Sequence, residues 1–389
     1  MNRERIDLKL VMALFYVAAT TSVWGSMEPV ILPYKNKPAN KKIQSKHHFF
    51  GFMQIGVQLG RGAKKGKNAD MGFEADRIRL GWKYFSGSLA GKVFLDFAKK
   101  GNDNSSVGIP DLVKDAFIAY KFNDDFVVKV GAIKTPVGMN FSIPGWNLDV
   151  IKRGFDKKLA FERALGVMIS GRDMGFGNRG KVNGLEMGHE RPWKGFGYDL
   201  MITSATGRSG AVNAHDEKGY IYKANQENGY MGRLMFDWSQ VFHAEVSYGK
   251  IKGNTNGSGE DYKVLNFGMD SHFERANVKV ELYSVYNIRG IDGWDMNTLA
   301  LTGTYYLTDR LEFAVKNIRG KESFNDRDSD MENTYIGLNY YINPKNNNMN
   351  RETKRARNKH RMQINYVYAD VDREAKGAGA LFRDNVVLL

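Results

Sequence analysis

The 389-residue chain contains no cysteine, which excludes a disulfide framework and thiol-ligated metals. Such a chain crosses an oxidising compartment without misoxidation. Beyond residue 25, no stretch approaches the ~20 consecutive apolar residues that a membrane-spanning helix needs. Mean hydropathy is −0.46. Neither HExxH nor GxSxG occurs, and the seven histidines are scattered. Catalytic chemistry therefore finds no anchor, and no enzyme activity or cofactor is expected. His47-His48 offers either a metal-binding pair or a polar entry into a strand. Acids are also scarce relative to bases, 43 against 57, for a formal charge of +14. A basic surplus suits an anionic lipid, solute or nucleic acid, but no groove-reading motif supports the last of these.

What the chain does have is a rhythm. From Phe49 onward, segments of about ten residues alternate apolar and polar, as membrane-spanning β-barrel strands do. Around residues 73–84, Ile78, Leu80, Trp82 and Tyr84 share one face, while Arg77, Arg79 and Lys83 share the other. The pattern predicts strands near 49–60, 73–84, 88–98, 114–122, 125–135, 165–176, 195–206, 228–238, 240–251, 261–273, 276–287, 297–306, 310–319, 332–342, 360–370 and 380–389. The connections decide between a barrel and a soluble sandwich. Short links at Phe85–Ser88, Asn123–Asp125, Trp238–Gln240, Phe273–Ala276 and Leu307–Arg310 alternate with longer stretches at 61–72, 100–112, 136–165, 207–227, 252–260, 288–296 and 320–331. Tight turns on one rim and long loops on the other are a barrel property. Two connections on the short rim, 177–194 and 343–359, are longer than simple turns. The second carries Lys354, Arg355 and Arg357, which read as a solvated charge run. The fold class expected is all-β: a transmembrane antiparallel β-barrel of about sixteen strands.

Arg3, Arg5 and Lys9 flank the start of the apolar run Leu8–Ala19, and Val23-Trp24-Gly25 offers a small-x-small cleavage site. Residues 1–25 read as a secretory signal peptide rather than a short anchor. Residues 26–48, rich in lysine and interrupted by prolines, read as a periplasmic lead, and 49–389 as the barrel. This places the protein in the outer membrane of a Gram-negative bacterium.

A pore selects through the field and hydrogen-bond donors at its narrowest part, and rings of Arg or Lys favour anions. A base facing lipid at mid-membrane costs ~2–4 kcal/mol, so bases belong in the lumen. The pleat puts Arg77, Arg79, Lys83, Lys92, Lys121, Lys129, Arg172 and Arg233 there. Part of this charge is expected to pair with lumen acids such as Asp96, Asp115, Asp199 and Asp237. The stretch 136–165 follows the fifth strand and reads as an infolded constriction loop. Phe141, Trp146 and Phe155 are expected to pack on the wall, leaving Lys152, Arg153, Lys157, Lys158 and Arg163 for the channel. The alternative is an extracellular flap whose bases meet lipopolysaccharide phosphates.

Asp115–Lys121 (DAFIAYK), a short turn, and Val130–Met139 (VGAIKTPVGM) resemble the phosphate-selective porin O and P family, which has a similar strand–turn–strand ending in Lys-x-Pro-x-Gly. Arg77–Leu80 (RIRL) and Glu162–Leu165 (ERAL) are also similar to its pattern. The resemblance covers roughly residues 73–175. It implies a homotrimeric, sixteen-stranded outer-membrane channel passing phosphate or other anions. Lys121 and Lys134 carry over as pathway residues, with Arg77, Arg79 and Arg163 behind them. One departure is the ending Asp384–Leu389, which lacks the usual terminal aromatic. Either Leu389 stands in for it or the last strand is incomplete. The function expected is a passive porin for small hydrophilic solutes, with small anionic solutes and outer-membrane lipid or lipopolysaccharide as partners. The alternatives are a plugged structural or adhesive barrel, and an exported soluble β-protein binding anionic glycans.

Overall fold

Alternation becomes a closed wall in the computed structural model. It describes residues 45–389 apart from 61–70, 99–111, 124, 176–180, 183–190, 193, 204–212, 216–220, 224–227, 239–240, 253–259, 274, 326, 343–359 and 376–381. The signal peptide, most of the lead and the basic run at 354–357 lie outside the described residues. In chain order the strands are β1 (Lys46–Leu59), β2 (Met71–Ser86), β3 (Leu89–Asp96), β4 (Val113–Lys121), β5 (Val127–Lys134), β6 (Arg163–Gly175), β7 (Lys181–Val182), β8 (Arg191–Pro192), β9 (Lys194–Thr203) and β10 (Asn213–His215). They continue as β11 (Ile221–Lys223), β12 (Gly229–Trp238), β13 (Phe242–Ile251), β14 (Tyr262–His272), β15 (Ala276–Tyr286), β16 (Asp295–Tyr306), β17 (Leu311–Phe324), β18 (Arg327–Tyr341), β19 (Arg361–Val371) and β20 (Val386–Leu388). Sixteen of them form one closed antiparallel barrel, while β7–β8 and β10–β11 are separate two-stranded ribbons.

The barrel is inside-out relative to a soluble protein. Leu80, Ile118, Val130, Leu200, Leu234, Leu265, Leu282 and Leu301 are all exposed on its outer wall. Exposed rings flank this band: Phe49, Phe122, Trp238 and Phe273 at the short-turn end, and Phe73, Phe97, Tyr230 and Tyr286 at the other. An apolar belt between two aromatic girdles is the lipid-facing surface of a membrane barrel. The buried positions alternating with it are polar, among them Asp199, Glu245, Asn266, Glu281, Lys316 and Asn339.

Two expected boundaries change. The stretch 320–331 is not a loop, because β17 and β18 run on to a tight turn at Asn325, whose φ is +51°. Its charges lie across the ladder from one another, with Lys321–Asp328 at 2.7 Å and Arg319–Glu332 at 3.2 Å. The last strand is Val386–Leu388 rather than 380–389, and it closes the ring by pairing with β1 and β19.

The segment 135–162 between β5 and β6 folds into the barrel. It carries one helical turn at Met139–Ser142 and two 3-10 turns, Gly145–Asn147 and Phe155–Lys158. Val137, Phe141, Phe155, Leu159 and Phe161 are buried against Tyr262, Val264, Tyr283, Ile318 and Tyr335 of the opposite wall. The loop is tied there by polar contacts as well. Gly138 N–H donates to Ser247 Oγ at 3.2 Å, Asn140 N–H to Glu281 Oε1 at 3.1 Å, and Ile151 N–H to Asn365 Oδ1 at 2.7 Å. Tyr262 O–H donates to the Leu159 carbonyl at 3.1 Å. The loop thus packs across the lumen onto β13–β19.

Candidate functional site: a cationic cavity beside the constriction loop

The step into the loop requires glycine. Gly138 has φ +91°, and a Cβ on it would overlap the Tyr283 hydroxyl. The backbone there is left-handed and pressed to the far wall, a combination only glycine tolerates. A cavity of about 470 Å³ lies between the loop and strands β2–β6, β9 and β12.

Among the described residues, twelve basic side chains and four acidic ones line this space. Three carboxylates each hold two bases. Asp96 takes Arg79 at 2.9 Å and Lys114 at 3.7 Å. Asp115 takes Lys92 at 2.5 Å on one oxygen and Arg163 at 2.8 Å on the other. Asp199 takes Arg172 at 2.6 Å and Arg233 at 2.5 Å, and Arg233 also reaches Glu245 at 3.5 Å. The Asp96 and Asp115 trios each keep one net positive charge. Charge-assisted bonds of this kind are short and strong, so these side chains are held in place.

Three further bases have no carboxylate within ion-pairing distance among the described residues. Arg77 donates to Gln54 Oε1 and packs on the loop, where a Cβ on Gly145 would sit 2.8 Å from its Nε. Lys134 donates to the Ser142 carbonyl at 2.9 Å, with its ammonium 4.6 Å from the Phe141 ring centroid. Arg153 donates to the carbonyls of Asn140 (3.2 Å) and Ile143. Burial, and then the guanidinium groups of Arg77, Arg79 and Arg163, hold the Arg153 pKa below the ordinary guanidinium range. All three bases converge on loop residues 140–145.

Of the other bases expected in the channel, Lys129, Lys152 and Lys157 also line the cavity. Lys152 pairs with Glu74 and with Asp76 at 3.7 Å, and Lys157 with Glu162 at 3.1 Å. Lys83 and Lys121 do not line it. Lys83 lies 5.0 Å from the Phe50 ring centroid, nearer the short turns. Lys121 is buried at the short-turn end of β4, where its N–H donates to the Ser88 carbonyl at 2.9 Å. The side chain of Lys158 lies outside the described ones. Asp237 pairs with His243 at 3.0 Å. His47, inside β1, stacks on Trp82 with ring centroids 5.8 Å apart. Among the described residues, no group of His, Asp and Glu has the arrangement of a metal site.

Strict alternation missed Lys114 and Asp76. The β3–β4 register shifts between Phe94 and Leu95, so Lys114 is an extra residue beside Asp115, and both are buried. The β1–β2 register shifts between Gln54 and Ile55, which brings Asp76 into the cavity beside Arg77. A bulge turns one additional side chain toward the lumen, and nothing in the alternation marks it. Trp146 also departs from expectation. Phe141 and Phe155 are in the loop–wall core, but Trp146 is only partly buried and lines the cavity, edge-on to Phe52 at 5.2 Å and 75°.

Residues 50–176 match the family model described as phosphate-selective porin O and P. This span runs through β1–β6 and the constriction loop, which supply most of the cavity lining. No curated protein matches the chain. Among solved structures, an anion-selective porin from Comamonas acidovorans is 13% identical, with 89% of this chain and 97% of that chain covered and a TM-score of 0.56. OmpF of Salmonella typhi, in complex with daunomycin, is 13% identical over 88% and 96% of the two chains, with a TM-score of 0.57. OmpT, an outer-membrane protein of Vibrio cholerae in trimer form, is 13% identical over 88% and 98%, with a TM-score of 0.53. The chain has the porin fold and resembles the phosphate-selective porin O and P family in its first half.

Proposed function

We propose that this protein is an outer-membrane porin: a passive channel for small hydrophilic solutes that prefers anions, phosphate-like oxyanions among them. The observation carrying this reading is the charge of the cavity, with twelve bases against four acids. Arg77, Lys134 and Arg153 converge on one stretch of loop and have no carboxylate within ion-pairing distance among the described residues. Oriented donors replace part of an oxyanion's hydration shell, and the surrounding carboxylates keep the well shallow enough for the ion to leave. Passive permeation of this kind uses no cofactor and makes or breaks no covalent bond.

The same reading places residues 1–25 as a removed signal peptide and the barrel in a Gram-negative outer membrane. It takes the homotrimer as the working assembly; one similar structure is a trimer form by its own description. Single-channel recording in planar bilayers tests the function. Discrete conductance steps and a reversal potential of anionic sign in a KCl gradient are expected, whereas a silent barrel means that the lumen is plugged. Mobility on unboiled gels, compared with boiled samples, tests the assembly.

A further inference from the structure

Bare inorganic anions have no use for aromatic surface, yet the cavity presents it. Phe155 and Phe161 fill the core behind the loop, and Phe141 borders the cavity but is buried at 2% exposure. Trp146 is different: it stands on the Gly145–Asn147 turn, partly exposed, among the residues lining the cationic space. Its indole N–H has no hydrogen-bond partner among the described residues. The ring is nevertheless held, since Phe52 meets it edge-on at 5.2 Å. The Phe52 ring centroid in turn lies 5.4 Å from the Arg79 guanidinium, and a Cβ on Gly145, the residue before Trp146, would sit 2.8 Å from Arg77 Nε. An indole and two guanidinium groups thus neighbour one another around one opening. Phe117 of β4 adds a second partly buried ring to the lining.

Exposed apolar surface facing water is unfavourable unless something covers it. A rigid ring beside fixed cations matches a solute that is itself flat and apolar at one end and anionic at the other, because stacking is available to any π-face. Building on the anion-channel reading, we infer that the preferred solutes are aromatic oxyanions, such as aryl phosphates and aryl carboxylates, rather than inorganic phosphate. The aromatic body stacks on Trp146 while Arg77 and Arg79 take the oxyanion.

The experiment compares phenyl phosphate with inorganic phosphate as added solutes in symmetric KCl, reading the concentration that halves single-channel current. Phenyl phosphate is expected to act at a concentration about tenfold lower, equivalent to ~1.4 kcal/mol. Trp146→Ala brings the two solutes to within about twofold of each other, and Trp146→Phe keeps most of the discrimination. Equal potency of the two solutes on the unaltered channel, or greater potency of inorganic phosphate, overturns the inference. So does a tenfold preference that survives in Trp146→Ala. The unaltered channel decides the first point even where a variant fails to assemble. Failure of the underlying anion reading shows separately, as a KCl reversal potential without anionic sign on the same channels.

Discussion

Lys279 on β15 and Asp149 in the constriction loop pair at 2.7 Å, 130 residues apart in sequence, with both side chains at most 6% exposed. The contact spans the lumen: the loop leaves the barrel at β5, and its far side is held by β15, β17 and β18. Asn339 Nδ2 donates to the Asp149 backbone carbonyl at 3.0 Å, and Lys316 holds Asp156 at 3.4 Å. The loop is therefore tied to the wall opposite the one that lines the cationic cavity.

Lys279→Met removes the ammonium that balances Asp149. Breaking a buried pair from one side costs about 3–5 kcal/mol, here drawn from the loop's attachment. Single-channel currents should become larger and noisier while the barrel keeps its unboiled-gel mobility. Currents of unchanged size and noise would show that the other ties suffice.

Gly138→Ala meets both a left-handed backbone and the Tyr283 hydroxyl. Strain of this kind is worth about 1–3 kcal/mol at one residue. Thermal denaturation should shift down, and adding Tyr283→Phe should recover only part of the loss, since the backbone penalty persists. Full recovery would assign the whole effect to the hydroxyl.

Asp115→Asn leaves Lys92 and Arg163 without the carboxylate they share. The anion-to-cation permeability ratio should rise by about twofold or more, and thermal stability should fall as the two bases repel. A ratio that falls would mean that the carboxylate positions these bases more than it neutralises them.

Lys134 and Lys121 both follow from the family resemblance, but they sit differently. Lys134 reaches the cavity at the foot of the loop, whereas Lys121 is buried near the short turns away from it. Lys134→Glu should therefore lower anion preference severalfold, and Lys121→Glu should change it by less than about twofold. Reversal potentials of the two variants, measured side by side, check the ordering.

The barrel was largely legible because its signal is local. Ile78, Leu80 and Trp82 against Arg77, Arg79 and Lys83 show a period of two within a single segment, and the asymmetry of the connections supplies closure. Residues beyond the lipid were harder to read. Lys321, Glu322, Asp328 and Asp330 suggest a loop by composition, yet outside the apolar belt charged residues extend a strand as readily as apolar ones do. Pairing was legible in outline only: Asp96, Asp115 and Asp199 stand out as lumen acids, but which bases they hold depends on register and on bulges at Lys114 and Asp76. The orientation of Trp146 depends on how the loop meets Phe52, a contact 94 positions away in chain order that no local pattern encodes.

The most direct test of the account is the reversal potential of single channels in a KCl gradient, for the unaltered protein and for Arg77→Ser, Lys134→Ser and Arg153→Ser together. The unaltered channel should show anionic sign, and the triple variant should lose most of it while still conducting. A cation-preferring or unselective unaltered channel, or a triple variant with unchanged potential, would contradict the claim that these bases set its preference.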